Sequence, residues 1–223
     1  MIEEILFDVS EALRVPVLVL ALAALAVVVV EAGALLVELA RRRHRSLWGL
    51  EQAVGECRGY LAAGQPTAAL GALLPFAANR RAEEAMATIV DQVGRPGAEG
   101  RIAKRLAEYD YASLRRLERT RILVRMGPAL GLMGTLIPLS PALAGLADGD
   151  VATLSDNLRV AFSVTVAGLL VGAVAFAISL VRDRLYAEDY SDLEYVAASL
   201  VNPAPWPNPP AADAPATERA LRV

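Results

Sequence analysis

The sequence predicts an all-α membrane protein with three transmembrane helices, the second and third extended into a cytoplasmic helical bundle. Two apolar runs, Met126 to Leu146 and Val160 to Val181, carry most of that prediction. As helices they rise about 31 Å and about 33 Å, enough for a hydrocarbon core of roughly 30 Å. A third apolar block runs from Val15 to Leu39. With 55% hydrophobic and 21% charged residues, such a composition arises only when apolar and charged stretches alternate in blocks.

The chain divides accordingly. Residues 1–14 form an extracytoplasmic stub whose Glu3, Glu4, Asp8 and Glu11 oppose a single Arg14. A secretory signal carries a basic segment there, so the span over 15–39 is read as retained. Arg41, Arg42, Arg43 and Arg45 follow it as a stop-transfer flank. Residues 40–125 hold sixteen Arg and Lys against nine Asp and Glu, and the basic side faces the cytoplasm. The N-terminus is therefore outside and the C-terminus inside. The second span covers 126–147, a short acidic outer loop 148–158, and the third span 159–181.

In the cytoplasmic region, Gly64-Gln65-Pro66 and Gly94-Arg95-Pro96-Gly97 separate helices expected from Ser46 to Ala63, Thr67 to Ala78 and Arg80 to Val93. The run that follows leads without proline to Met126. Ile102, Leu106, Tyr109, Leu114, Leu117 and Leu123 fall near helical spacing, as in one amphipathic helix entering the second span. The arginines between them read as the solvated face of a helical bundle rather than an RNA or lipid surface. After the third span, 182–201 continues as helix with Leu185, Tyr186, Leu193, Val196 and Leu200 for an apolar stripe. Residues 202–223, rich in Pro and Ala, form a disordered tail.

No soluble enzyme class is indicated. Cys57 is the one cysteine and His44 the one histidine, so neither a disulfide framework nor a paired-cysteine metal site is available. Cys57 reads as a small packing residue and His44 as a solvated one. No catalytic motif, metal site, cofactor or nucleic-acid partner is expected. Glu31 stands out. It lies about 15 Å of helix from Arg41, deep in a span where an ionised carboxylate costs a few kcal/mol or more. It is either a proton-binding acid facing the interior of an assembly or a paired group holding a neighbouring helix. Glu38, seven residues on, reads as an interfacial ion pair.

Both later spans are dense in Gly, Ala, Ser and Thr, residues that let helix backbones approach closely in lipid. Pro128, Gly131, Leu132, Gly134 and Thr135 form P-x-x-G-L-x-G-T, and Thr165, Gly168 and Leu169 form T-x-x-G-L. The pair of motifs, joined by a short outer loop, resembles the MotA/TolQ/ExbB proton-channel family, and three spans resemble its ExbB/TolQ-like branch.

That resemblance implies a proton-motive-force-driven motor or energiser subunit in the bacterial or archaeal inner membrane. It implies a homo-oligomer, a pentamer, around an ExbD/TolR/MotB-like single-span partner that supplies the proton-carrying Asp. Thr135 and Thr165 would then line the proton path. The chain departs from the family pattern at Val160, where Glu is frequent, at Pro138, where Gly is frequent, and at Val174, where Pro is frequent. Glu31 is the candidate replacement for the missing acid. Loss of that acid also leaves open a non-conducting structural scaffold of the same fold.

Overall fold

The computed structural model describes residues 2–42 and 47–201. Arg43, His44 and Arg45 of the expected flank, and the tail 202–223, lie outside the described residues. The elements are α1 (Ile2–Ala12), α2 (Arg14–Arg42), α3 (Leu47–Ala62), α4 (Pro66–Leu73), a 3₁₀ turn (Leu74–Phe76), α5 (Arg80–Gln92), α6 (Ala98–Ala147) and α7 (Val151–Val201). There is no strand among the described residues. Three helical segments are long and apolar enough to cross a membrane: Phe7–Ala40, Ala98–Ala147 and Val151–Val201.

Local chemistry explains the breaks. Pro16 has no N–H to offer the carbonyl of Ala12, and the helix turns over at Leu13 between α1 and α2. The helix expected over 67–78 tightens into the 3₁₀ turn from Leu74, where Pro75 withdraws the donor that Gly71 would need. Asn79 caps α5 by accepting the N–H of Ala82 at 3.0 Å. The connection expected over 148–158 is helical from Val151 onward. Gly149, at φ 79°, takes the left-handed turn that favours glycine. Asp150 then accepts the Thr153 N–H at 3.1 Å, and nothing in 151–158 breaks the helix it starts. The Thr153 hydroxyl also donates to Asp150, and it, followed by that N–H, holds the Asp150 carboxyl below its ordinary pKa.

Two cores organise the chain around the long α6–α7 hairpin. One gathers α3, α4 and α5 against the start of α6 and the end of α7, around Leu50, Val54, Cys57, Leu73, Met86, Ile89, Ile102, Leu193 and Val196. Ile102, Leu106, Tyr109 and Leu117 of the expected apolar stripe are buried, whereas Leu114 is 44% exposed. The other core lays α2 on the hairpin through Val17, Ala24, Val28 and Leu35, against Leu130, Val171, Ala175 and Ile178. These α2 positions repeat every four or seven residues, as one face of a helix does. Large apolar residues on the remaining faces, among them Val19, Val30, Leu36, Leu132, Leu136, Phe162 and Leu170, are exposed. In a membrane helix such faces meet lipid or other helices.

Cys57 is wholly buried in the first core, and that burial pushes its thiol up to about 11. At pH 8 the native thiol is therefore neutral, and alkylation needs the thiolate. Iodoacetamide at pH 8 is expected to leave Cys57 unmodified until denaturant is added, and mass spectrometry of the intact chain reads the outcome. Rapid native labelling would contradict this packing.

Candidate functional site

The hairpin is built on missing side chains. A Cβ added at Gly168 would lie 2.5 Å from the carbonyl oxygen of Gly127 and 2.7 Å from the Cα of Gly131. One added at Gly127 would lie 2.6 Å from the carbonyl oxygen of Gly168, and one at Gly172 would lie 2.8 Å from Cδ of Pro128. Real Cβ atoms do not approach backbone so closely, so the two helices touch main chain to main chain. At Gly134 the obstruction is a side chain instead, with Cγ1 and Cβ of Val164 in the way.

These contacts fix the level of each threonine. Gly131 meets Thr165, Gly134 meets Val164 and Gly145 meets Thr153, so Thr135 and Thr165 lie within about one helical turn of each other. Counting rise from the basic flanks gives a different answer, about 15 Å for Thr135 above Arg125 and about 25 Å for Thr165 above Arg182. The hairpin register removes the conflict. Arg125 stands opposite the neighbourhood of Gly172, and Arg182 lies roughly 13 Å further along. The two arginines do not mark one membrane edge.

The hydroxyl of Thr165 lies 3.0 Å from the carbonyl oxygen of Ala161 and 3.3 Å from that of Gly131 across the helix contact. It can donate to either while its lone pairs remain free to accept. The Thr135 hydroxyl donates to the carbonyl of Leu132 at 2.7 Å. Both threonines are half-buried at the edge of the hairpin. Pro128, Pro138 and Pro141 lie inside α6, and none of them can donate to the carbonyl four residues back, namely Val124, Gly134 and Ile137. The same stretch of α6 thus carries spare acceptors and glycine gaps.

Glu31 is elsewhere. It meets Arg182, whose guanidinium donates to its carboxylate at 2.5 Å and to the hydroxyl of Thr120 at 3.1 Å. Arg182 is wholly buried. Seventeen residues separate Thr165 from Arg182, about 25 Å of helix, so the structure brings the two threonines together and leaves Glu31 apart from them. Glu38 bonds Arg42 at 3.1 Å and lies 3.8 Å from Arg182. Arg42 in turn bridges to Asp189 at 2.7 Å, and Tyr109 donates to Asp189 at 3.3 Å. Burial, and then the Asp189 charge, push the Tyr109 phenol up to about 12, so it stays a donor.

Arg182, Thr120 and Asp189 are members of this seam that sequence reasoning missed. Arg182 reads as a flank cation because it ends an apolar run. The overlooked signal is periodicity: Ala175, Ile178, Arg182, Tyr186, Asp189 and Leu193 are all buried and follow at three- and four-residue steps along one face. At the other end Arg14 donates to Asn157 at 2.9 Å, so α2 is tied to α7 near both its ends. Among the described residues no group of three or more His, Cys, Asp or Glu could hold a metal ion.

Compared with known families, residues 76–194 match the model of the MotA/TolQ/ExbB proton channel family. The match spans α5, all of α6 and most of α7. It includes both threonine motifs, Thr120 and Arg182, but not Glu31. No curated protein matches the chain.

The seam has an unequal pair of partners. Removing Arg182 leaves Glu31 and Glu38 together without their shared cation, whereas Glu31 is part-exposed and leaves Arg182 with Glu38 still near. Breaking a buried pair costs about 3–5 kcal/mol. Arg182→Gln is expected near that range and Glu31→Gln at about 1–3 kcal/mol, read by denaturant unfolding in detergent micelles. A double variant should cost less than the sum, and strict additivity would mean the two side chains do not interact.

Proposed function

We propose, since this chain belongs to the MotA/TolQ/ExbB proton channel family, that it is the stator-like channel subunit of a complex driven by the proton motive force. In this reading five copies surround a single-span partner of the ExbD/TolR/MotB kind. The spans read over 15–39, 126–147 and 159–181 contain no Asp, so the partner supplies the aspartate that takes up and releases the proton. Movement of the proton down its gradient then turns one part of the complex against the other.

The observation that carries this reading is the placement of Thr165 against the backbone of Gly131, within a turn of Thr135. A hydroxyl inside a membrane can donate and accept without the cost of a charge. It can therefore orient water or a partner carboxyl, and the neighbouring glycines leave room for that group. In this reading Glu31, which Arg182 holds at the bundle end of the hairpin, is the acid at the far end of the same route. The excess of arginine in 40–125 favours an inner-membrane topology with the N-terminus outside and the C-terminus in the cytoplasm.

The test is proton flux in liposomes carrying the chain co-purified with its partner. Wild type is expected to conduct, and Thr165→Ala to fall close to empty liposomes. Full flux with Glu31→Gln would remove Glu31 from the route and leave the threonines in it. An intact wild-type complex without flux would favour the non-conducting scaffold, the reading that Val160 in place of an acid makes specific.

A further inference from the structure

A second polar feature lies apart from the threonine region and borders the ionic seam, with which it shares Glu31 and Tyr109. A cavity of about 480 Å³ opens between the start of α5, the middle of α6 and Tyr186 of α7, within the range of roughly 300–1,000 Å³ typical of small-ligand pockets. Arg80, Arg81, Arg115, Arg116 and Arg119 line it. The one carboxylate in the lining is Glu31, and Arg182 already holds it. Arg80 pairs with Glu84 outside the cavity. Arg81, Arg115, Arg116 and Arg119 have no ion pair among the described residues.

These four guanidinium groups are exposed, and together they give the concavity a positive, salt-screened field that draws anions. An independent observation points the same way. Tyr186 borders the cavity and is only 7% exposed, and its buried hydroxyl has no hydrogen-bond partner. Buried hydroxyls are normally satisfied. The cavity also sits where the surface changes character: just beyond Arg119 on α6, Ile122 and Met126 are exposed apolar residues, and α2, which contributes Glu31, presents exposed Val27, Val29 and Val30 on the membrane side of it. A phosphate with hydrocarbon attached fits both halves of that surface.

We propose that this cavity binds the phosphate headgroup of an anionic phospholipid, drawn from the leaflet nearest the α3–α5 bundle, with its acyl chains along α6 and α2. Guanidinium groups match phosphate oxygens in pairs. Tyr186 supplies a further donor. Occupancy would screen the arginines and brace α5 against the hairpin. The cavity arginines and Tyr186 have no part in the proposed proton route, so loss of flux and loss of lipid are separate outcomes.

The full-length chain, purified in detergent, is incubated with equimolar phosphatidylglycerol and phosphatidylcholine, and retained lipid is counted by native mass spectrometry. Wild type is expected to retain phosphatidylglycerol preferentially. Arg115→Gln/Arg119→Gln should lower that retention by roughly an order of magnitude, and Tyr186→Phe should lower it less. Arg121→Gln/Arg125→Gln, which removes equal charge outside the cavity, should leave it unchanged. Equal loss in both arginine pairs would overturn the cavity in favour of diffuse attraction. Displacement of phosphatidylglycerol by millimolar inorganic phosphate would overturn the lipid source in favour of a soluble anion. Cross-linking of a second copy into a lipid-free cavity would overturn the ligand altogether.

Discussion

Main-chain contact between α6 and α7 is the constraint on which the rest depends. In lipid, apolar bulk gives helices no reason to associate, because the surrounding chains are as apolar as leucine. What remains is close packing, and here Gly127, Gly168 and Gly172 bring the two helices to where no Cβ fits. That contact sets one register over the whole hairpin. The register in turn places Thr165 against Gly131 and Arg182 against Thr120. A threonine motif read without it is only composition.

The second helix is attached by different physics. Its apolar stripe meets the hairpin, but Glu31, Glu38 and Arg42 continue the same face and enter an ionic seam with Arg182 and Asp189. Ion pairs inside proteins are costly to desolvate and add little net stability compared with apolar packing. They do penalise a wrong alignment, since any slip of α2 along α7 strands a buried guanidinium. The seam and the Arg14–Asn157 bond near the opposite end therefore act as registration marks on a surface that would otherwise slide.

Much of this was legible in the sequence, for identifiable reasons. The apolar runs, the Gly and Pro breaks and the paired threonine motifs each state a local rule, and the helices follow them. Where the reading differed, a local rule met a long-range partner. Arg125 and Arg182 both end apolar runs and look like equivalent flanks, but only the hairpin contact reveals that they stand at different levels. Glu31 looks isolated in its span because its partner lies 151 residues away. Asp150 looks like part of a loop, although its side chain starts α7. Leu114 has the right spacing for burial, yet it is 44% exposed, and nothing in the structure explains it.

The central claim is that the glycine contact holds the hydroxyl of Thr165 where protons pass. Gly168 tests it most directly, because an added Cβ there meets only backbone and no side chain can yield to admit it. The measurement is proton flux through the reconstituted complex carrying Gly168→Ala, with assembly checked on the same preparation. The account predicts an assembled complex whose flux falls to near that of empty liposomes, as the helices part and Thr165 leaves Gly131. Wild-type flux with alanine at position 168 would contradict it.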